Sequence, residues 1–256
     1  MKHKELRDSE SAVSEVVDFI IILSVMLLAV SVIAVQGFPL VEHLQESGHT
    51  ENLRQGFTVV AANLNKIVFG KAPSQSVELK MYGGSLSVTG SSTINVTSYV
   101  WNSSKPGTEA QTFERQMRML EKNYEGNSIC YENTGTWAKY PSGNSVMLSE
   151  PQFSFNGNTL IVPASMIAGS SSTGGSGLVS IISDGGERWT YSYQNVSRVD
   201  ITITSKYYQA WESYLEETMG MNTSVDDVNS TVHAQRLYSE NIDVHAIYSP
   251  MTVKIE

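Results

Sequence analysis

The segment Phe19–Val35 reads FIIILSVMLLAVSVIAV, and its only polar side chains are the hydroxyls of Ser24 and Ser31. Such hydroxyls can bond to carbonyl groups of their own helix. With the valines that precede Asp18, the segment reaches about 20 residues, which at about 1.5 Å per residue spans the roughly 30 Å hydrocarbon core of a bilayer. Because a helix satisfies its own backbone groups in lipid, the sequence predicts a transmembrane helix over residues 12–36.

Two other interpretations of this segment stay open. A buried helix of a soluble domain normally keeps a polar face, and this segment has none. A cleaved signal peptide normally has an apolar region of about 7–15 residues after a positively charged segment. Here the apolar region is longer, and the preceding MKHKELRDSES has equal numbers of acidic and basic side chains. A permanent anchor is the favoured interpretation.

Basic residues near the apolar segment indicate its orientation. Lys2, Lys4 and Arg7 precede the segment, whereas the first Lys or Arg after it is Arg54. Cytoplasmic flanks of membrane helices carry an excess of Lys and Arg. The sequence therefore predicts a single-pass protein of the cell membrane, with a cytoplasmic leader at residues 1–11 and an extracellular remainder.

The composition of the whole chain excludes several classes of protein. The 256 residues are 41% hydrophobic, so the chain can bury a core and is not wholly disordered. A net charge of −9 argues against a nucleic-acid-binding protein, which needs clustered Lys and Arg. The one cysteine, Cys130, excludes an intrachain disulfide and a multi-cysteine zinc site. We expect Cys130 to be buried, with pairing between subunits as the alternative.

The residues just before the apolar segment resemble those of a known family. Residues 11–18 read SAVSEVVD, so Glu15 and Asp18 lie at or inside the edge of the membrane helix, where an unpaired charge is costly. Solvation at the cytoplasmic face is one explanation. The pattern also resembles the N-terminus of archaeal type IV pilins, in which a polar leader and an Ala-Val-Ser segment precede a hydrophobic helix.

This resemblance implies several roles. A prepilin peptidase would cut between Ser11 and Ala12 and leave the helix on the mature protein. Glu15 would pair with the new amino terminus of a neighbouring subunit, so membrane lipid and like subunits or other pilins are the implied partners. In the family, Lys or Arg followed by Gly or Ala usually precedes the cut, whereas this chain has Glu10 and Ser11.

After the apolar segment the sequence predicts a helical stalk over residues 37–70. Gly37-Phe38-Pro39 predicts a break or kink, because proline lacks a backbone donor. An apolar stripe with helical spacing follows, and Gly70 can end it. Its members are Leu53, Phe57, Val60, Leu64, Ile67 and Val68. We expect this stripe to pack on the rest of the chain.

From residue 71 the apolar period changes from 3.6 to 2, which predicts strands. Turn residues between alternating runs predict three hairpins, at Gly83-Gly84, Asn156-Gly157-Asn158 and Asp184-Gly185-Gly186. Residues 109–124 fit either a helix or a strand, and residues 169–177 are typical of a flexible loop.

The C-terminal part of the chain predicts one helix and two closing strands. The helix covers residues 206–219, with Ser205 as N-cap and Gly220 as its end. The strands cover residues 242–246 and 251–255. The predicted fold class is α+β: a long N-terminal helix, transmembrane and then amphipathic, packed on an antiparallel, sandwich-like β-rich head over residues 71–256.

Five Asn-x-Ser/Thr triplets are candidate glycosylation sites. They are centred on Asn95, Asn102, Asn195, Asn222 and Asn229. All of them follow the apolar segment, which agrees with an extracellular head. The pilin resemblance also implies glycosylation.

No motif in the sequence indicates catalysis. His233 and His245 have Asp226, Asp227 and Asp243 nearby in sequence, but their spacing matches no metal-ligand pattern. Gly-x-Ser-x-Gly and phosphate-binding glycine loops do not occur in the sequence. We therefore expect no enzymatic activity and no cofactor or metal. An anchored hydrolase is the alternative that a His-centred pocket would support.

Aromatic residues allow two interpretations. Trp189, Tyr191 and Tyr193 share one face of a predicted strand, either in the core or as an exposed ladder that contacts sugar or a partner. On the predicted helix, Tyr208, Trp211 and Leu215 should pack inward. The glutamates of that helix, which should face solvent, are Glu212, Glu216 and Glu217.

These observations predict a membrane-anchored, pilin-like surface protein, a structural or accessory subunit of a type IV pilus-like filament with adhesion as its output. The alternative is a single-pass cell-surface binding protein that does not polymerise, which the residues before Ala12 favour.

Overall fold

The computed structural model describes the backbone of residues 2–70, 72–102 and 107–256, and the side chains of residues 16–70, 72–101 and 107–256. The chain divides into two compact units, Met1–Glu51 and Asn52–Glu256. We call the second unit the head. The long helix α1 (Lys2–Val68) supplies residues to both units.

Helix α1 continues through Pro39, so of the predicted break or kink at Gly37-Phe38-Pro39 the break does not occur. Proline removes one backbone hydrogen bond, and membrane-type helices tolerate it when local adjustments satisfy the freed carbonyl. The helix ends with Phe69 N bonded to Asn65 O at 3.0 Å. Arg188 donates to the carbonyl oxygens of Val68 and Phe69, which the helix leaves unpaired.

The head contains strands and one short helix. The strands are β1 (Ser74–Lys80), β2 (Ser85–Thr89), β3 (Thr93–Asn102), β4 (Gly107–Gln116), β5 (Met119–Tyr124), β6 (Asn127–Glu132), β7 (Gly135–Lys139), β8 (Val146–Ser149), β9 (Ser154–Phe155), β10 (Thr159–Ala168), β11 (Ser172–Gly174), β12 (Leu178–Gly185), β13 (Trp189–Thr204), β14 (Asn222–Asp226) and β15 (Thr231–Ile255). Among the described residues they form a larger sheet of nine strands and a smaller sheet of six. The predicted α+β class is confirmed.

In the larger sheet the strand order is β1-β12-β15-β13-β3-β4, and β10 and β14 also pair with β15. The pairs are antiparallel except for β10 with β15, which is parallel. The prediction of two closing strands is wrong, because β15 runs as one strand of 25 residues. Residues 247–250, between the two predicted strands, continue the strand, and the register with β13 shifts earlier, between Leu237 and Ile242.

The smaller sheet has the order β11-β2-β5-β6-β7-β8, and its central strands β5, β6 and β7 are buried on both faces. On β6, Ile129 and Tyr131 face one core cluster, whereas Cys130 faces another. Residues 109–124, which fitted a helix or a strand, form β4 and β5, with Arg118 at φ 58° between them. Residues 169–177 contain β11, which pairs with β2.

Two of the three predicted hairpins are wrong and one is confirmed. β1 and β2 belong to different sheets, and β15 lies between β12 and β13. At Asn156–Asn158 the chain does form a hairpin, in which Phe155 opposes Leu160.

The Gly83-Gly84 pair carries the chain from one sheet to the other instead of forming a hairpin. Gly84 has φ 67°, and a Cβ there would lie 2.0 Å from Asn123 O, so only glycine fits. The buried ammonium of Lys122 donates to the carbonyl oxygens of Gly83 and Asn123. Burial lowers the pKa of Lys122 to about 8.

The core consists of two clusters. The Trp cluster surrounds Trp137 and Trp211, whose ring centroids are 4.3 Å apart, and includes Phe153 and Tyr214. The α1 cluster lies beneath the last turns of helix α1. The predicted apolar stripe is confirmed, since all its members, Leu53, Phe57, Val60, Leu64, Ile67 and Val68, are buried.

The second helix, α2 (Tyr208–Ser213), continues into a π-helical turn, Tyr214–Thr218. The prediction of Ser205 as N-cap is wrong, because the cap residue is Tyr207. The Ser205 hydroxyl instead accepts a hydrogen bond from Tyr207 N at 3.0 Å, in the turn that precedes the helix. Gly220, at φ 61°, follows the end of the helical segment as expected.

Candidate functional site

The segment from Val16 to Leu44 of α1 presents apolar side chains to its surroundings. The large apolar side chains of Phe19–Val35 are 44% to 73% exposed. Exposing each of them to water costs about 1.5–3 kcal/mol relative to burial. Within the part of the chain that the structure describes, α1 is the one helix long and apolar enough to cross a membrane.

The hydroxyls inside this segment do not interrupt it. Ser24 Oγ donates to Ile20 O and Ser31 Oγ donates to Leu27 O, each at 2.7 Å. Both hydroxyls therefore stay hydrogen-bonded within the helix when the helix lies in an apolar environment. Asp18 lies exposed at the start of the apolar stretch. The side chains of Ser11, Ala12 and Glu15 lie outside the described residues, so their predicted roles stay predictions.

The glycosylation candidates differ in how their amides are bonded. Asn95 donates to Glu114 Oε2 at 3.2 Å, and Asn229 donates to Asp226 Oδ2 at 2.7 Å. Asn195 has φ 60° and donates to Trp101 O at 3.0 Å.

Asn222 is exposed, and its amide has no hydrogen bond to any described residue. The side chain of Asn102 lies outside the described residues.

Neither His233 nor His245 forms a hydrogen bond or ion pair with a nearby aspartate among the described residues. His233 Nδ1 lies 3.1 Å from Thr202 Oγ1, and His245 Nδ1 lies 2.9 Å from Ser192 Oγ. Asp227 accepts from the Tyr208 hydroxyl. In the described part of the chain, no group of three or more His, Cys, Asp or Glu residues is arranged to hold a metal ion.

The three aromatic residues of β13 lie at the rim of the core. Tyr191 and Tyr193 pack partly buried against the Trp cluster. Trp189 is 41% exposed and stacks on Tyr248 with ring centroids 5.6 Å apart. The core interpretation therefore holds for the two tyrosines, and Trp189 alone is exposed. On α2 and the π-helical turn, Tyr208, Trp211 and Leu215 are buried as predicted.

A group of buried polar side chains lies beside the Trp cluster, and no motif in the sequence predicts it. Glu132 is fully buried, and its Oε2 accepts from Ser205 Oγ at 2.7 Å and from Trp211 Nε1 at 2.9 Å. Its Oε1 and the nearby Ser92 Oγ lack a hydrogen-bond partner among the described residues. Burial raises the pKa of Glu132, and the negative charge of Glu121 raises it further.

A second carboxylate, Glu121, forms an ion pair and a hydrogen bond with its neighbours. Lys206 Nζ lies 2.8 Å from Glu121 Oε1, and the Tyr207 hydroxyl donates to the same oxygen at 2.7 Å. Cys130 is buried nearby as a free thiol, as predicted. Burial raises the pKa of Cys130, so the group is an unreactive thiol at neutral pH.

The buried Glu132 predicts a pH dependence of stability. Because the folded protein holds this proton more tightly than the unfolded chain, the free energy of unfolding should fall as pH rises from 4.5, the ordinary pKa of Glu, through the raised pKa. Glu132→Gln should remove this part of the decline, since a neutral amide can still accept from Ser205 and Trp211.

Chemical denaturation from about pH 4 to about pH 8 measures the effect. The matched control is Glu78→Gln on the exposed side of β1, which should leave the slope unchanged. If the free energy of unfolding fell equally steeply with pH in wild type and in Glu132→Gln, the raised pKa of Glu132 would be contradicted.

Comparison with known proteins gives a family and one partial relative. An uncharacterized protein from Archaeoglobus fulgidus is 29% identical over 77 residues, which are 30% of this chain and 25% of that protein. The matched part of this chain therefore spans about a quarter of the relative's length. No solved structure matches the chain. Residues 12–248 match DUF7289, a family of unknown function, and the chain therefore belongs to that family.

Proposed function

We propose that this chain is a membrane-anchored, pilin-like surface protein, a structural or accessory subunit of a type IV pilus-like filament with adhesion as its output. One observation carries the proposal: helix α1 joins an exposed apolar segment to a buried amphipathic stripe that packs in a β-rich head. A helix of this kind can exchange lipid neighbours for the helices of other subunits. The head then determines the surface properties of the assembly.

Other observations support the proposal. The family match begins at Ala12, the first residue after the cut that the pilin resemblance implies. The similar protein named above comes from an archaeon. The basic residues before the apolar segment favour a cytoplasmic N-terminus and an extracellular head.

A second candidate is a single-pass cell-surface binding protein that does not polymerise. Glu10 and Ser11 favour it, because they stand where the resemblance implies a basic residue followed by a small one. In this candidate, α1 anchors the head but no peptidase removes the leader.

Mass spectrometry of the protein from native membranes distinguishes the two. A mature chain that begins at Ala12 supports the filament subunit, and an intact Met1 supports the plain anchor. In addition, Glu15→Gln should abolish filaments seen by electron microscopy while the amount of protein in the membrane stays unchanged. Glu42→Gln, the same change after the apolar segment, is the matched control and should leave filaments intact.

An extracellular head predicts glycan at an accessible acceptor. We expect higher occupancy at Asn222 than at Asn195, because the Asn222 amide is exposed and unbonded to the described residues, whereas the Asn195 amide is bonded to Trp101 O. Glycopeptide mass spectrometry measures both sites, with Asn222→Gln as control. Higher occupancy at Asn195 would contradict this expectation.

A further inference from the structure

A polar cavity opens in the head beside the buried carboxylates. Its volume is about 420 Å³, which lies within the range of small-ligand sites. The walls come from the β2–β3 loop, from β5, from the end of β7 and from the segment between β13 and α2. Six hydroxyl side chains line it: Thr89, Ser91, Ser92, Thr204, Ser205 and Ser230. Those of Thr204 and Ser205 are already bonded to Thr231 and Glu132, so the others are the ones open to a ligand.

The cavity carries one uncompensated positive charge. Of its three charged lining residues, Glu121 and Lys206 form an ion pair at 2.8 Å. The other oxygen of Glu121 accepts from Asn123 Nδ2 at 3.2 Å, so this carboxylate is satisfied. The ammonium of Lys139 makes no ion pair or hydrogen bond with any residue that the structure describes. The unpaired ammonium of Lys139 favours a ligand that carries a negative charge.

Ser92 supplies an unused hydrogen-bonding group in the wall. Its side chain is 4% exposed, and its Oγ lies beside the Glu132 carboxylate without a hydrogen bond of good geometry to any described residue. A buried hydroxyl without a partner destabilises the fold. A ligand oxygen that reaches this hydroxyl would offset that destabilisation.

The remaining wall chemistry narrows the ligand class. Met119 is the one large apolar side chain among the residues that line the cavity, and the other lining side chains are hydroxyl-bearing, charged or absent, as in glycine. A ligand with two negative charges could pair only one of them, because Lys139 is the lining cation that is outside an ion pair. Many hydroxyls with one cation match a ligand that has several hydroxyls and one carboxylate.

We propose that this cavity binds a sugar acid, a monosaccharide carboxylate of the uronate class. Lys139 pairs with the carboxylate, and the hydroxyl-rich walls, Ser92 among them, bond to the oxygens of the sugar. This site is independent of whether the chain polymerises.

Isothermal titration calorimetry on the full chain in detergent micelles tests the proposal, with D-glucuronate, D-glucose and acetate as the three probes. Glucuronate should bind about tenfold more tightly than glucose, since a charge-assisted hydrogen bond is lost with the carboxylate. It should also bind more tightly than acetate, which lacks the hydroxyls. No binding of glucuronate, or equal binding of glucuronate with either other probe, would overturn the proposal.

Variants locate the site. Lys139→Gln should weaken glucuronate binding about tenfold, and Ser92→Ala should weaken it several-fold. Lys80→Gln, the same charge change on an exposed residue of β1, is the matched control and should bind as wild type does. Circular dichroism checks that each variant is folded. If Lys139→Gln does not fold, Ser92→Ala still tests the site. Wild-type affinity in the folded cavity variants would place binding elsewhere and overturn the proposal.

Discussion

A variant that begins at Asn52 is expected to move from the membrane fraction to the aqueous phase. It lacks the apolar segment Phe19–Val35, whose large apolar residues each favour membrane insertion by about 0.3–0.6 kcal/mol. The head keeps the buried stripe of α1, from Leu53 to Val68, so its own apolar surface stays covered. Flotation of membranes on a density gradient after a carbonate wash measures the distribution.

A point variant serves as a second test of the anchor. Leu28→Arg places a charge in the middle of the apolar segment and should cost about 2.5–3.5 kcal/mol of insertion free energy. The matched control is Leu237→Arg, because Leu237 is 69% exposed on the head and should not affect membrane retention. If the full chain washes off membranes, or if the variant that begins at Asn52 still floats with them, the anchor is not α1.

Trp211→Ala is expected to lower the free energy of unfolding by about 3–5 kcal/mol. Trp211 is fully buried and lies against Trp137, Phe153 and Tyr214. Its indole also donates to Glu132 Oε2 at 2.9 Å. Removing it therefore leaves a large cavity and takes a donor from a buried carboxylate.

Denaturant unfolding followed by circular dichroism gives this free energy. Trp211→Phe keeps most of the volume but not the donor, and should cost less than Trp211→Ala. The matched control is Trp189→Ala, which removes a 41% exposed tryptophan and should cost about 1 kcal/mol or less. Equal losses for Trp211→Ala and Trp189→Ala would show that Trp211 is not central to the core.

The sequence predicted those features that depend on neighbouring residues. The apolar segment and the stripe from Leu53 to Val68 follow from composition and helical spacing over a few turns. Helix α2 was predicted near its observed place for the same reason. Its N-cap was predicted two residues too early, because Ser205 bonds to Tyr207 N in a turn before the helix.

Strand partners were predicted poorly because pairing depends on distant residues. Gly83-Gly84 and Gly185-Gly186 have the composition of hairpin turns, but each carries the chain away from its neighbour in sequence. The glycines meet other parts of the chain there, as a Cβ on Gly186 would lie 3.1 Å from Pro250 O. Local alternation cannot reveal such a contact.

The cavity and its carboxylates could not be predicted from the sequence. Glu121 and Glu132 lie on strands β5 and β6. Polar residues of a strand normally face solvent, and these two are inside because both faces of β5 and β6 are buried. Their partners, such as Lys206 and Ser205, are more than 70 residues away in the chain. By contrast, the burial of Cys130 was predicted from its small apolar character alone.

Strand β15 follows in the chain every strand with which it pairs, namely β10, β12, β13 and β14. While the chain is being synthesised or translocated, the strands that pair with β15 would therefore lack their partner until the 25 residues of β15 are available. With the head outside the cell, as proposed, passage across the membrane would precede closure of the sheet. Nascent heads would meanwhile expose unpaired strand edges and would depend on chaperones to avoid aggregation.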